Sequence, residues 1–441
     1  MIDRKTTRRR FLKQTTTAAT TAMAAPWIVP ASALGRNNFV APSERIVMGC
    51  IGTGGRGRGN LRTFMGNPDV QLVAVCDVDG KHRDMAKGMV DKQYGNEDCA
   101  TFADFRELLK RDDIDAVSIA TPDHWHALAS VAAANAGKDI YCEKPLANSI
   151  AEGRAICNAV DKNKRILQTG SHERSNSSIR FGCELVRNGR IGELKEIIIN
   201  LPCDQNHHKQ VIGTQTVPET TTTPEGFDYN FWLGHTAKQP YTEKRCHFWW
   251  RFILAYGGGE MTDRGAHVID IAQLGAGFDD TGPVKVEGRG VGSKTGLYDA
   301  FMEFGFANHY ANGVTMYGSS KGQRGVKFVG SEGSLFIHIH GGKLEADPAS
   351  ILKEKIGENE IQLGRSPGHH RNFLDCVKSR ETPLASAEVG HRTATICHLN
   401  NIAMLMNKPK VYEWNPKTER ITNDADANAL CTPKMRSPWS L

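Results

Sequence analysis

The sequence predicts an α/β protein whose first half forms a doubly wound parallel sheet and whose second half forms a sheet of different connectivity. Strand-like runs alternate with helical segments between residues 45 and 162, and a glycine-rich turn follows the first strand. Strand-like segments then follow one another without helices between residues 284 and 340. At 441 residues the chain is also longer than one hydrophobic core requires, so two domains are expected.

The alternation in the first half indicates a parallel sheet, because strands that are joined through helices run in the same direction. Ligands of such sheets gather beyond the carboxyl ends of the strands. The predicted strands are 45–51, 70–76, 116–120 and 139–142, and the predicted helical segments are 60–65, 127–136 and 150–162.

The turn Gly52-Thr53-Gly54-Gly55-Arg56-Gly57 joins the first strand to the first helix. Its glycines permit a tight turn and let backbone N–H groups approach a pyrophosphate, and the position between strand and helix is the one that dinucleotide binding requires. Asp77 ends the next strand about 20 residues later, where a carboxylate can accept hydrogen bonds from both ribose hydroxyls. This charge repels a 2′-phosphate and favours NAD, while Lys81 and Arg83 nearby leave NADP open.

The second half contains strand-like segments with alternating polarity and β-branched residues. They come as a run, so their sheet should not be parallel. The segment 205–226, with its threonine-rich stretch, is predicted to be a long polar loop, and loops of that length are often functional. The strand-like segments are 194–201, 284–291, 298–306, 310–317, 325–329 and 334–340.

The first 33 residues have the pattern of an export signal, with an unstructured basic tail as the alternative. A basic start is followed by a short, weakly apolar stretch at 15–29 and by the small-x-small cleavage site Ala31-Ser32-Ala33. Within the basic start, Thr7-Arg8-Arg9-Arg10-Phe11-Leu12-Lys13 resembles the twin-arginine consensus. We therefore expect export in the folded state, with the twin-arginine translocon as partner and a periplasmic or other extracytoplasmic destination. No Cys follows the cleavage site, so no membrane anchor is expected.

Charge and cysteine usage support this interpretation. Residues 1–33 hold six basic residues and one acidic residue, so the rest of the chain carries +1 of the total net charge of +6. A nucleic-acid-binding protein would show a basic surplus outside its leader, so that class is not expected. The 11 cysteines form no paired framework. That is unusual for an exported protein but consistent with folding in the reducing cytosol before export.

Two further motifs stand at predicted strand ends: Thr121-Pro122-Asp123-His124-Trp125-His126 and Glu143-Lys144-Pro145. With the glycine-rich turn, the segment 257–267 and the closing segment 414–441, they resemble the Gfo/Idh/MocA oxidoreductases, which include glucose–fructose oxidoreductase and inositol dehydrogenase. The resemblance implies a Rossmann domain over 44–168 and a substrate-binding and oligomerisation domain over 169–412. The latter would contain an open, mostly antiparallel sheet, and a tail over 413–441 would pack back on the body.

The expected cofactor is NAD, with NADP as the alternative. The glycine-rich turn and Asp77 are expected to bind it for the reasons given above. The two strand-end motifs are expected to contribute because ligands gather at that edge of the sheet. The residues expected to bind the cofactor are Gly52, Gly54, Gly55, Arg56, Gly57, Asp77, Thr121, Pro122, His126, Glu143 and Lys144.

Oxidation of a secondary alcohol requires a base for the hydroxyl proton and a group that stabilises the developing alkoxide. Asp263 and His267 stand four residues apart in a segment of helical spacing, so they are predicted to share one face. His267 is the expected base, because imidazole titrates near neutrality. Asp263 is expected to orient His267 or to bind a substrate hydroxyl. The resemblance implies that Lys144 completes the catalytic group, although spacing alone would favour a helix-terminal acid and a buried core histidine.

Aromatic and polar side chains are expected to hold the substrate, although tryptophans are more often simply buried. No metal site is expected, because the pairs His207-His208 and His369-His370 come without a Cys or an acid that would complete a ligand set. The expected substrate-binding residues are His124, Trp125, Arg174, Trp250, Arg251 and Asp263.

The sequence therefore predicts an NAD(P)-dependent oxidoreductase that acts on a CH–OH group of a sugar, glycoside or polyol. Tight retention of the cofactor is expected, because the periplasm offers no free nicotinamide pool. A glycoside hydrolase or lyase that works through transient oxidation, and a non-catalytic nicotinamide-binding sugar sensor, remain as alternatives. The resemblance also implies a homo-oligomer, a dimer or a tetramer, that associates through the outer face of the second sheet.

Overall fold

A computed structural model describes residues 40–214, 216, 220–292 and 296–441 of the chain. The chain falls into two units, one that ends at Arg45 and a body from Ile46 to Leu441. In the described part of the first unit, Pro42–Glu44 form a single 3₁₀ turn, and Arg45 Nε donates to the Val40 carbonyl oxygen at 3.1 Å. The predicted export signal, residues 1–33, lies outside the described residues.

The first half of the body forms a parallel sheet, which confirms the prediction from the alternating pattern. Its strands are β1 (Ile46–Ile51), β2 (Val70–Cys76), β3 (Ala100–Phe102), β4 (Ala116–Ile119), β5 (Asp139–Cys142) and β6 (Leu167–Thr169). Over the described residues they pair in the order β3-β2-β1-β4-β5-β6. All residues of β4 and β5 are buried, because helices cover both faces of the sheet. The strand order reverses at β1, so a crevice opens there beyond the carboxyl ends.

The helices of this half are α1 (Gly55–Met65), α2 (Gly80–Tyr94), α3 (Phe105–Leu109), α4 (His126–Asn135) and α5 (Ile150–Asn163). Asp79, Asp104 and Ser149 begin α2, α3 and α5, because their side chains accept hydrogen bonds from backbone N–H groups of the first turn. Helix α1 differs, since Gly54 at its N-cap has no side chain to satisfy these groups. The first N–H groups of α1 are therefore available to a ligand.

The turn between β1 and α1 depends on glycine at two positions. Gly52 has a φ of +80°, and a Cβ there would lie 2.6 Å from the backbone nitrogen of Thr121. A Cβ at Gly57 would lie 1.9 Å from the carbonyl oxygen of Gly52. The turn therefore packs so closely against the end of β4 and the start of α1 that neither position accommodates a side chain.

The second half of the body contains a mostly antiparallel sheet, as predicted. Its strands are β7 (Leu194–Asn200), β8 (Lys285–Gly292), β9 (Phe301–His309), β10 (Thr315–Ser319), β11 (Gly325–Gly330), β12 (Ser334–His338), β13 (Leu344–Asp347), β14 (Tyr412–Asn415) and β15 (Arg420–Ile421). Over the described residues their order is β13-β12-β11-β7-β10-β9-β8-β14-β15. The pairing of β7 with β10 is parallel, and the other neighbours are antiparallel. The strand predicted over 310–317 begins only at Thr315, because Tyr310 and Gly313 close a turn between β9 and β10.

The helices of this half are α6 (Ser177–Arg187), α7 (Gln205–Gly213), α8 (Tyr229–Leu233), α9 (Glu260–Asp263), α10 (Gly265–Ala276), α11 (His369–Ser379), α12 (Ala387–Met406) and α13 (Ala425–Ala429). Helix α10 packs on β7 and β11, and α12 contacts both α5 of the first half and β8 of the second. The loop predicted over 205–226 was wrong in its first part, because Asp204 caps α7 and starts a helix there. None of the helices that the structure describes has the length and apolar composition needed to cross a bilayer.

The C-terminal segment packs against residues near the first sheet. Arg436 donates hydrogen bonds to the carbonyl oxygens of Gly234 and Thr236, the latter at 3.0 Å. The Trp439 ring lies 4.9 Å, centroid to centroid, from Trp125 and 5.6 Å from Phe231. These contacts hold the segment around α8 against the first half of the body.

We expect Gly57→Ala to destabilise the protein and Gly59→Ala, in the same helix, to leave it unchanged or more stable. The first change forces a Cβ against the Gly52 carbonyl oxygen, and overpacking of this kind costs about 1–3 kcal/mol. A Cβ at Gly59 meets nothing within 4 Å, and alanine is better than glycine within a helix by about 0.5–1 kcal/mol. Urea unfolding of both variants measures the difference, and equal stabilities would contradict the close approach of turn and helix.

Candidate active site

A cleft of about 650 Å³ lies between the carboxyl ends of the parallel sheet and the second half of the body. The first half contributes residues that follow β1, β2, β4 and β5. The second half contributes residues from 227–232, 247–251 and 263–267. The cleft therefore occupies the crevice where doubly wound sheets bind their ligands.

One end of the cleft has the shape and the donors that a dinucleotide requires. Gly52, Gly54 and Gly55 line it, and a Cβ added at Gly55 would meet nothing within 4 Å, so the start of α1 faces open space. The free N–H groups of this helix start can donate to a pyrophosphate. Gly57 lies outside the cleft wall, where it packs against Gly52. The glycine cradle thus fits NAD, with Gly57 shaping the turn behind it.

Asp77 lines the same end of the cleft at the end of β2. Its Oδ2 accepts a hydrogen bond from the Thr53 N–H at 2.7 Å, and its Oδ1 accepts one from the Asp79 N–H at 2.9 Å. These bonds fix the carboxylate in position beside the glycine-rich turn. The ribose hydroxyls of a bound nucleotide can donate to it there.

Glu143 connects the glycine-rich turn to the Glu-Lys-Pro motif. Its Oε1 accepts hydrogen bonds from Arg56 Nε at 2.7 Å and from Asn60 Nδ2 at 2.9 Å. Burial would raise the pKa of Glu143, but Arg56, Asn60 and Lys144 together outweigh burial and lower that pKa. A Cβ at Gly170 would lie 2.8 Å from Glu143 Oε2, so the carboxylate rests directly on the backbone that follows β6.

Lys144 and Asp263 form an ion pair in the wall of the cleft. Lys144 Nζ donates to Asp263 Oδ1 at 2.7 Å and to the Asp263 carbonyl oxygen at 2.6 Å. Burial alone would raise the pKa of Asp263, but Lys144 and Arg251 outweigh burial and hold that pKa well below its ordinary value. Asp263 is therefore ionised at neutral pH, and it holds the ammonium group of Lys144 in the cleft.

His267 is buried beside this pair and also lines the cleft. Burial lowers its pKa well below the ordinary value, and the nearby Lys144 acts in the same direction, so the imidazole is neutral. Asp263 ends α9, Arg264 breaks the helix, and His267 lies in the first turn of α10. No hydrogen bond joins Asp263 to His267 within the described residues, so the structure brings the two together without making Asp263 the orienting partner of His267.

The remaining predicted residues fall into two groups. Trp250 and Arg251 line the cleft, with the Arg251 guanidinium 4.5 Å from the Trp250 ring centre and 3.5 Å from Asp263 Oδ1. Of the strand-end motif, five residues line the cleft, and the His126 ring lies between the carbonyl oxygens of Pro145 and Thr121 at 2.7 and 3.1 Å. These five residues are Thr121, Pro122, Asp123, Trp125 and His126.

The structure does not bring His124 and Arg174 to the cleft wall. His124 is fully buried, and its Nε2 lies 2.9 Å from the Trp232 carbonyl oxygen. Arg174 is buried between the carboxylates of Asp270 and Asp279, at 2.9 and 2.7 Å. Both side chains are therefore held by partners within the body, and neither lines the cleft.

Sequence reasoning missed several residues of the cleft wall. His172 follows β6, so the rule that ligands gather at strand ends could have found it. Asp123 stands inside the strand-end motif and lines the cleft, and burial raises its pKa well above the ordinary value. His340 follows β12 in the second sheet, and no signal in the sequence indicates that it reaches the cleft. The other missed residues include Phe227, Phe231, Trp232, His247 and Phe248.

Curated proteins match this chain over part of their length. Inositol 2-dehydrogenase 1 from Saccharopolyspora erythraea is 29% identical over 188 residues, which are 42% of this chain and 53% of that protein. An alpha-N-acetylgalactosaminidase from Shewanella oneidensis is 32% identical over 176 residues, which are 37% of each chain. The chain thus spans about half of the first relative and little more than a third of the second.

Solved structures share the fold over most of the chain at low sequence identity. A levoglucosan dehydrogenase in complex with NADH and L-sorbose superposes with a TM-score of 0.61 at 19% identity, over 85% of this chain and 100% of that one. An aldose-aldose oxidoreductase from Caulobacter crescentus gives a TM-score of 0.56 at 17% identity, over 84% and 99% of the two chains. These likenesses show that the fold is shared.

Two family models together span the body of the chain. Residues 46–171 match the model described as oxidoreductase family, NAD-binding Rossmann fold. Residues 176–441 match the model described as oxidoreductase family, C-terminal alpha/beta domain. The chain therefore belongs to the Gfo/Idh/MocA oxidoreductase family, and its first half is an NAD-binding Rossmann domain.

Proposed function

We propose that this protein is an NAD-dependent oxidoreductase that acts on a CH–OH group of a sugar, glycoside or polyol. The observation that carries the proposal is the Lys144–Asp263 ion pair beside the neutral, buried His267, in the same cleft as the glycine-rich turn. The inositol dehydrogenase relative and the sugar dehydrogenase folds support this class of substrate. Asp77 supports NAD over NADP, because its carboxylate repels a 2′-phosphate.

Different side chains of the cleft have different roles in alcohol oxidation. When bound, NAD supplies the nicotinamide ring that accepts a hydride from the substrate carbon. The neutral His267 can take the hydroxyl proton, and Lys144 can donate to the oxygen as negative charge develops on it. Asp263 positions the Lys144 ammonium, and Trp250 with Arg251 forms a wall on which a sugar ring can pack.

A second candidate is glycoside hydrolysis through transient oxidation, and the N-acetylgalactosaminidase relative favours it. Both candidates use the same oxidation step and differ in what leaves the site. A non-catalytic sugar sensor is a third hypothesis. The presence of Lys144, Asp263 and His267 in one cleft argues against it.

We expect a stable keto product when the protein is incubated with NAD and a panel of glycosides, and loss of that product in Lys144→Ala and His267→Ala. Removal of a general base or of an alkoxide donor lowers kcat by about 10²–10⁴. Mass spectrometry of the products, with NADH absorbance, measures the effect.

The matched controls are Lys110→Ala and His309→Ala, which remove the same side chains outside the cleft and should keep full activity. Free aglycone would favour the hydrolase. Physiological activity that survives both cleft substitutions would contradict a catalytic role and leave the sensor.

The pH profile of kcat/KM should have an acid limb below about pH 6.5, the pKa of free imidazole. His267 must be neutral to accept a proton, and its lowered pKa keeps it neutral into more acidic solution. Initial rates between pH 4 and 8 in a constant-ionic-strength buffer give the limb. An acid limb with a midpoint at or above the pKa of free imidazole would show that another group limits the rate or that the pKa of His267 is not lowered.

We further propose that the protein is exported folded by the twin-arginine route with NAD retained. The basic motif around Arg8 and Arg9 and the cleavage pattern at 31–33 support export. All 11 cysteines are free thiols and ten of them are buried, which agrees with folding in a reducing compartment. Each turnover must then reset the cofactor in place, for example by exchange between two sugars.

The outer face of the second sheet supports self-association, because Val291 and Tyr317 are exposed there on β8 and β10. A dimer or a tetramer formed through this face is part of the proposal, and light scattering of the purified protein gives the mass that decides it.

Protein purified from the periplasmic fraction of its native cells should release close to one NAD(H) per chain on denaturation. Retention follows from the proposal, because an exported enzyme without a nicotinamide pool stops after one turnover unless the cofactor stays bound. Enzymatic cycling assays of the released nucleotide give the stoichiometry. Empty protein that binds NAD reversibly, or protein absent from this fraction, would contradict the carried cofactor and the export, respectively.

A further inference from the structure

Two histidines and a glutamate converge at the edge of the cleft, where the proposed oxidation chemistry leaves them without a role. His340 Nδ1 lies 2.8 Å from Glu173 Oε1, and His172 Nε2 lies 3.9 Å from the same oxygen. The three potential ligand atoms all lie within 4.8 Å of one another. Because these atoms are already close together, small movements of the three side chains would let all of them bind one cation.

The charge balance of the cleft leaves Glu173 in need of a cation. Its side chain is 5% exposed, and within the described residues no lysine or arginine nitrogen lies at ion-pair distance from its carboxylate. Lys144 and Arg56, the nearby cations, are already paired with Asp263 and Glu143. Glu173 Oε1 accepts a hydrogen bond from the His340 backbone N–H at 3.2 Å, but a buried carboxylate without a cationic partner is strongly unfavourable, and a bound cation would balance its charge.

His267 borders this cluster on its inner side. The His267 ring centre lies 4.8 Å from that of His172 and 5.0 Å from that of His340. The Nδ1 atoms of His267 and His172 are buried and have no hydrogen-bond partner within the described residues. His172 and His340 are about two-fifths exposed, which opens the cluster toward the cleft.

A second group of metal-binding residue types, formed by Asp79, His82 and His247, is less suited to a cation. Asp79 Oδ1 already accepts the capping hydrogen bond from the Lys81 N–H at 2.9 Å. Both imidazoles lie 3.8 Å from Asp79 Oδ2. This group stands beside Asp77, at the end of the cleft that fits the nucleotide, so its imidazoles face a different ligand.

We propose that His172 Nε2, Glu173 Oε1 and His340 Nδ1 form a binding site for a first-row divalent cation, with Zn²⁺ as the reference ion. Two histidines and a glutamate with an open position toward a cleft are the ligand set of catalytic zinc sites. The cation lies next to His267 and Lys144, so its open position can bind an oxygen of a polyhydroxylated substrate. This proposal departs from the sequence-based expectation of no metal site, which considered only the pairs His207-His208 and His369-His370.

The site is tested by metal content and Zn²⁺ titration of the full chain, without reference to turnover. Chelator-treated protein is titrated with Zn²⁺ by calorimetry, and bound metal is counted by mass spectrometry after gel filtration. We expect one Zn²⁺ per chain and at least a tenfold weaker affinity in Glu173→Gln and in His340→Ala. His338→Ala, which removes a neighbouring imidazole paired with Glu345 at 3.0 Å, and His82→Ala should bind Zn²⁺ as the wild type does.

Thermal unfolding with and without Zn²⁺ separates loss of the site from loss of the fold. Zn²⁺ in excess should raise the Tm of the wild type and of His338→Ala, because a ligand that binds the native state stabilises it, and should not raise the Tm of Glu173→Gln. Absence of stoichiometric binding, or binding that survives in Glu173→Gln and His340→Ala, overturns the site. Binding lost only in His82→Ala assigns the metal to the other group and also overturns it. NAD content measured on the same samples reports separately on the proposed oxidoreductase function.

Discussion

The ion pair of Lys144 with Asp263 joins the two halves of the body inside the cleft. Its partners are 119 residues apart in the chain, and the lysine also donates to the backbone of Asp263. A partly buried pair contributes most when its geometry is good and its other polar atoms are satisfied, so small displacements of one half against the other weaken it. Helix α12 contacts α5 on one side and β8 on the other, and this packing holds the two halves in register.

The same pair sets the charge pattern of the cleft. Lysine and aspartate satisfy each other, so a substrate oxygen that reaches Lys144 enters a group of charges that is already ordered. Preorganised charges of this kind stabilise a developing alkoxide without rearranging as the reaction proceeds. Glu143 with Arg56 repeats the arrangement at the helix start, so the cleft contains a second paired cation and carboxylate.

Sequence reasoning was most successful where local chemistry decides the structure. The apolar runs of β1, β2, β4 and β5 and the glycines at 52 and 54 indicated the parallel sheet and its turn, because burial and backbone freedom act over a few residues. Short capped helices were harder to predict. The sequence of α7 has a weakly helical composition and was predicted to be a loop, but the cap that Asp204 provides is sufficient to start a helix there.

The placement of single polar side chains depended on partners that are distant in sequence. Arg174 was expected to bind substrate, but Asp270 and Asp279, 96 and 105 residues further along the chain, neutralise it. His340 could not be predicted for the same reason, because only the folding of β12 toward the first half brings it near His172. A single sequence shows which residue types could form a site. It does not show which distant residues will pair with them in the body or bring them to the cleft.

The contacts of Arg436 and Trp439 have a consequence for the order in which the protein is made. The residues of β1 to β6 have all been translated when the ribosome reaches residue 169. The segment around Phe231, which lines the crevice, is anchored by Arg436 and Trp439, which are translated more than 260 codons after that point. The segment that walls the crevice is therefore fastened by side chains that are translated after every strand of the parallel sheet, and the core of that sheet itself includes the later residues Phe373 and Leu374. The crevice acquires its complete wall only once these later parts of the chain have been made.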